Sequence, residues 1–378
     1  MKPKTKNIIG LLTLLYCLLI NQYPTKAQNN NISKWQLDAE IATGYIVEVP
    51  KTTTHLIAVN PLQVEFRFFR STYGTQAWEQ SLNYPRYGLT MNIVDFGSDI
   101  LGEAVSALYS GNFTLIGKKR NTLNTIVGIG IGYINNPYDR VKNHKNTING
   151  SHWVCAAIAK IVWEYKISPH WRTQLTAGVT HFSNGATQQP NWGTNILYIG
   201  AGLNYQLAKQ DNKIDKSQIV EEKETMPKNN WQIYLAGAWR DQYPTEGPKY
   251  GVYTANFAWQ RRAGKAIETQ LGVDILYNTL FENYIQAFQK YNYGALRLST
   301  VAGIEILMGK FSTMIQVGIY FYKPQPFDGT LYQRFGWKIY FNKNIFGLFA
   351  LRSQTGSVDN LEFGVGYKIF SIKKVKKS

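Results

Sequence analysis

The sequence predicts an all-β protein: an outer-membrane antiparallel β-barrel of about 16 strands in two repeats of about eight, closing as one large barrel or as two tandem small ones. Three observations predict it. Apolar side chains recur at every second residue along much of the chain, and a period of two means strands, because successive side chains leave a strand on opposite faces. Many of these runs reach the ~9–11 residues that cross hydrocarbon at a tilt. Aromatics gather at the run ends, as in "WEYK" and "YFYKP", within a chain carrying 25 Tyr and 10 Trp; membrane barrels place such residues in interfacial girdles.

The first element is a leader. Lys2, Lys4 and Lys6 form a basic start, "IIGLLTLLYCLLI" is an apolar run too short to span a bilayer, and Ala27 supplies a small residue before a cut. Residues 1–27 are therefore expected to be a signal peptide that exports the chain. Cys155 is then the sole cysteine left, so no intramolecular disulfide is expected. The formal charge is +17, of which Lys2, Lys4, Lys6 and Lys26 carry four. A basic exported protein suits an anionic surface such as lipopolysaccharide phosphates; no nucleic acid is expected as a partner, since no basic helix or RNA-binding signature appears.

About eight strands are expected between Trp35 and Gln206. In "WQLDAEIATGY" the residues Trp35, Leu37, Ala39, Ile41 and Tyr45 share one parity, and in "TIVGIGIGY" Val127, Ile129, Ile131 and Tyr133 oppose Gly128, Gly130 and Gly132. Inward glycines of this kind suit a narrow barrel packed by side chains. Only a closed barrel lets strands satisfy their backbone in lipid. Residues 28–207 form the first repeat. The stretch 208–230 is charged and aperiodic and is expected to be a polar linker. About eight more strands are expected from Trp231 to Phe370, including "TMIQVGIYF" and "LEFGVGYKIF", so that 231–378 is the second repeat. Its end echoes the end of the first, which suggests a duplication. Near the corresponding hairpin it has Ser353 and Gln354 and no histidine.

Chemistry is expected at "HFSNGATQQPNWGTN", residues 181–195. In the seventh strand, Arg172, Gln174, Thr176 and Thr180 take the polar parity, while Leu175, Ala177 and Val179 take the apolar one. Continuing the apolar parity lands on His181 and Ser183. Asn195 lies on the apolar side of the eighth strand. All three polar residues are thus expected to face lipid at one rim, and polar groups placed there are costly unless they serve a function. With the mature N-terminus in the periplasm, the seventh strand ends at the outer leaflet.

The residue types set the expected roles. A serine hydroxyl needs a neighbouring base, which His181 supplies to Ser183 across an i, i+2 spacing. A third group must orient the imidazole, and Asn195 can accept from it through its amide oxygen. Backbone N–H groups at Asn184 and Gly185, or the Asn184 amide, are expected to receive an oxyanion. Arg140, Lys142 and Lys145, in the long connection between the fifth and sixth strands, are candidates for holding substrate phosphates on charge alone. His55, His144, His152 and His170 lack metal spacing, and neither a cofactor nor a metal is expected.

"HFSNG" followed by "QPNWG" and an apolar strand resembles the PagL family of lipid A 3-O-deacylases. That resemblance implies a carboxylic ester hydrolase in the outer membrane of a Gram-negative bacterium, which removes the 3-O-linked acyl chain of lipid A. It carries the family's histidine and serine onto His181 and Ser183, and its oxyanion asparagine onto Asn184. The chain departs at Asn195, where the family commonly has glutamate. Outer-membrane phospholipase A carries a similar His-x-Ser-Asn-Gly run with an asparagine at comparable spacing and needs calcium. Here Ala186 and Thr187 follow Gly185 in place of its arginine, so no calcium dependence is expected. The alternatives left open are a phospholipase of that kind and a non-catalytic barrel.

Overall fold

The computed structural model describes residues 35–47, 51–118, 120–207, 228–241, 245, 247–282, 294–324, 329–354 and 357–370. The expected signal peptide and most of the expected linker lie outside them. Eight strands form one closed antiparallel barrel: β1 (Trp35–Ile46), β2 (Leu62–Ser71), β3 (Arg86–Asp95), β4 (Glu103–Gly117), β5 (Asn121–Ile134), β6 (Trp153–Lys166), β7 (Trp171–Ser183) and β8 (Thr194–Gln206). Eight more form a second: β9 (Asn229–Arg240), β10 (Tyr250–Arg262), β11 (Ile267–Asn278), β12 (Leu296–Met308), β13 (Phe311–Tyr322), β14 (Leu331–Tyr340), β15 (Ile345–Gln354) and β16 (Ser357–Phe370). The choice between one large cylinder and two small ones is settled: β8 returns to β1, and β16 returns to β9. Because β9 starts at Asn229, the stretch expected as linker overlaps the first residues of the second barrel.

Side-chain parity explains closure. Ile41, Ile131 and Ile199 of the first barrel and Leu235 and Val365 of the second are exposed on the outside. In water so much apolar surface would be an association hazard; hydrocarbon suits it. The opposite parity is buried and polar. In the first lumen Lys160 Nζ lies 3.1 Å from Glu40 and 2.5 Å from Glu65, and Arg67 pairs with Glu40 at 2.7 Å and also with Glu65. In the second, Arg334 binds Asp274 and Glu362, each at 2.7 Å, and Lys338 binds Glu305 at 2.5 Å. A charge leaves water at a cost of several kcal/mol, so it persists inside only with partners this close. The glycines of β5 do what narrow closure asks: a Cβ added at Gly130 would run into the Ala107 carbonyl of the neighbouring strand.

The two barrels touch at both rims. At the rim that holds the connection between β12 and β13, Tyr109 stacks on Phe311 with ring centres 4.8 Å apart. Beside it, a short helix (Ala77–Ser81) brings Trp78 close to Gly309. At the opposite rim, the connection between β7 and β8 meets the start of the connection between β9 and β10. Strand tilt in small barrels carries a strand far around the wall from one rim to the other, so strands distant in order meet along one line.

Candidate active site

His181 and Asn195 are register partners on β7 and β8, and Ser183 is the last residue of β7. An amide oxygen only accepts, so His181 Nδ1–H donates to Asn195 Oδ1, at 2.7 Å. That fixes the tautomer and leaves Nε2 with its lone pair free to take a proton. His181 is half-buried on the outward parity of the wall.

Ser183 departs from the expectation. It has the outward parity yet is only 1% exposed. The reason is local: the loop 184–193 folds back over it. Asn191 Nδ2 donates to Ser183 Oγ at 3.0 Å, Asn191 Oδ1 lies 3.3 Å from the same oxygen, and Gly185 N–H donates to it at 3.2 Å. Among the described residues no hydrogen bond joins Ser183 to His181. The hydroxyl expected to rest against imidazole and to look into lipid is instead held by its own loop.

That loop is shaped by a tight turn. Thr187 N–H donates to Asn184 O at 3.3 Å around Gly185 (φ 66°) and Ala186 (φ 61°), two left-handed residues in succession as a type I′ turn requires. Asn184, expected as an oxyanion donor, is engaged by the loop and by the connection between β5 and β6. Its side-chain Nδ2 donates to Gln188 O at 2.7 Å and to Ser151 Oγ at 3.0 Å, and its backbone N–H donates to Asn191 Oδ1 at 3.1 Å. Gly185 N–H, by contrast, already points at Ser183 Oγ. At the loop's far end Gly193 (φ 73°) passes so near the pair that a Cβ there would lie 3.2 Å from His181 Cε1 and 3.5 Å from Ser183 Cβ.

The connection between β5 and β6 buttresses this loop. Asn149 and Asn191 form a bridge, Trp192 N–H donates to Ile148 O at 3.1 Å, and Thr194 Oγ1 donates to Asn149 Oδ1 at 3.1 Å. Arg140, Lys142 and Lys145 are exposed on the same connection. Beside them Asp139 accepts the backbone N–H groups of Lys142 at 2.7 Å and Val141 at 2.9 Å, which holds its carboxyl below the usual range. His152 and His170 bond the Ile134 and Gln206 carbonyls at 2.8 Å and so tie rim turns. Among the described residues no three His, Cys, Asp or Glu side chains are grouped to hold a metal ion.

Sequence reasoning missed Asn191 as a partner of Ser183. It lies inside the "QPNWG" segment, but no periodicity runs through a loop, and only the fold shows that its amide reaches back to residue 183.

Comparison with known proteins gives the class first: the chain is an ester hydrolase built on a β-barrel. Residues 63–204 match the family model described as lipid A 3-O-deacylase (PagL), and residues 229–372 match the one described as acyloxyacyl hydrolase, C-terminal domain. The chain belongs to the PagL family. No curated protein matches it. Among solved structures, a KdgM porin in complex with disordered oligogalacturonate aligns at 6% identity over 71% of this chain and 93% of its own, with a TM-score of 0.19. The CymD monoaromatic hydrocarbon channel aligns at 7% identity over 90% and 89%, with a TM-score of 0.20. Likeness at such scores carries no argument about this chain.

Proposed function

We propose that the protein removes the 3-O-linked acyl chain from lipid A in the outer leaflet of the outer membrane, with Ser183 as nucleophile. The observation that carries the proposal is the 2.7 Å bond from His181 Nδ1 to Asn195 Oδ1, two residues from a serine. It presets the imidazole as a base and aims it from the outward face of the wall. In this reading the first repeat, 28–207, does the chemistry, after removal of a signal peptide at 1–27. The second repeat, 231–378, has no histidine to form a dyad.

For reaction, the Ser183 hydroxyl leaves Asn191 Oδ1 and turns its proton to His181 Nε2. Oγ then bonds to the ester carbonyl carbon, and the C=O pair moves onto oxygen. The two N–H groups that now bond Oγ, from Gly185 and the Asn191 side chain, are the donors nearest to that developing charge. Imidazolium returns its proton to the departing sugar oxygen, leaving an acyl-serine. Water, deprotonated by the same imidazole, releases the fatty acid and regenerates Ser183. Asn195 orients the ring and, being uncharged, stabilises imidazolium less than a carboxylate would. Arg140, Lys142 and Lys145, on the buttressing connection, are proposed to meet the lipid A phosphates.

The test is mass spectrometry of lipid A from cells that make the protein. Wild type is expected to produce a species lighter by one 3-position acyl chain, and Ser183→Ala is expected to abolish it with the barrel still folded. Persistence of that species in the Ser183→Ala strain removes the mechanism. Release of fatty acid from phosphatidylethanolamine and not from lipid A replaces the substrate.

A further inference from the structure

We infer that the second barrel positions the first barrel's catalytic loop, through Asp241, Lys249 and Leu361; this rests on the reading of Ser183 as the nucleophile. Backbone polar groups must be satisfied somewhere, and the crest of the loop finds its partners across the barrel boundary. Asp241 N–H donates to Ala186 O at 2.7 Å, and Asp241 Oδ2 accepts the N–H of Gln189 at 3.1 Å. Lys249 Nζ donates to Thr187 O at 2.8 Å and pairs with Asp241 Oδ2 at 3.0 Å. Leu361 fills the space against Gly185, where an added Cβ would collide with it.

Two burial anomalies have the same origin. Leu361 shares the outward parity of β16 with the exposed Phe363 and Val365, yet it is only 7% exposed. Asp241 is a charged residue with no exposure at all. Both are covered because a turn of the first barrel rests on them. A ten-residue loop with three left-handed positions has little local stability by itself. The contacts across the boundary hold the Gly185 and Asn191 donors against Ser183, and a displacement of about 1 Å at such a site can cost on the order of a hundredfold in rate.

The experiment uses the full-length protein in detergent or vesicles containing lipid A. Asp241→Ala is expected to lower kcat by ~10–100-fold while KM changes by less than about twofold, and to slow fluorophosphonate labelling of Ser183 in proportion. Asp241→Asn keeps an oxygen for the Gln189 N–H and should recover most of the rate. Lys249→Met, at a partly exposed position, should lower kcat by ~3–10-fold and serves if Asp241→Ala does not fold. Phe311→Ala weakens the barrel contact at the other rim and should leave kcat unchanged. Wild-type kcat in Asp241→Ala and Lys249→Met overturns the inference, as does an equal loss in Phe311→Ala, which would mean general adhesion between barrels. Hydrogen exchange of the 185–191 amides is a readout independent of chemistry, expected to accelerate in Asp241→Ala and in wild type to stay slow. If Ser183→Ala keeps full turnover, the reading of the site fails while this exchange result still decides whether the second barrel orders the loop.

Discussion

The Ser183 hydroxyl oxygen lies 3.0 Å from the amide nitrogen of Asn191, eight residues further along the chain. The same amide takes the Asn184 N–H on its oxygen. One side chain therefore holds the proposed nucleophile and fixes the backbone that follows it. Asn191→Ala is expected to lower kcat by ~10²–10³-fold, the scale on which an oxyanion donor is lost, with little change in KM. Time courses of lipid A deacylation by the purified variant check this, and a loss confined to KM would assign Asn191 to binding.

In the proposed mechanism Asn195 acts through His181, to which it is hydrogen-bonded, and it carries no charge. Asn195→Ala should lower kcat by less than either His181→Ala or Ser183→Ala, because base and nucleophile remain and only ring orientation is lost. Activity assays of the three variants side by side decide it. A loss in Asn195→Ala equal to that in Ser183→Ala would reverse the assigned roles.

Gly193→Ala tests close approach. A methyl group would sit against His181 Cε1 and the Phe182 carbonyl, at a backbone angle that costs an L-residue about 1–2 kcal/mol. Turnover is expected to fall by at least about tenfold while the barrel still inserts, as seen from its heat-dependent mobility on gels.

Lys160→Met tests the first lumen. It leaves Glu40 and Glu65 sharing Arg67 alone, and breaking a buried pair typically costs about 3–5 kcal/mol. The midpoint of unfolding in urea should drop accordingly. Double replacement of Lys160 and Glu65 by apolar residues should recover part of it, since removing both charges strands fewer of them.

Strand positions were legible in the sequence because lipid and a packed lumen impose opposite demands on alternate residues. The run from Trp35 to Gln206 and the end of the last strand at Phe370 follow from that alternation. So does the opposition of His181 and Asn195, since both continue an apolar parity. Loop 184–193 obeys no such alternation. The burial of Ser183 under Asn191, the internal use of Asn184's donors and the reach of Asp241 across to Ala186 depend on where a chain folds back, and parity says nothing of that. Leu361 has the pattern of a lipid-facing residue and is covered only because a neighbouring barrel exists.

Among the described residues, ion-paired side chains such as Lys160 with Glu65 and Arg334 with Glu362 are buried inside each cylinder, and a lumen packed with such pairs opposes the passage of dissolved ions. Planar lipid films holding the protein should stay electrically silent under applied voltage. A cell can then carry many copies in its outermost membrane without becoming leaky to salts or small solutes.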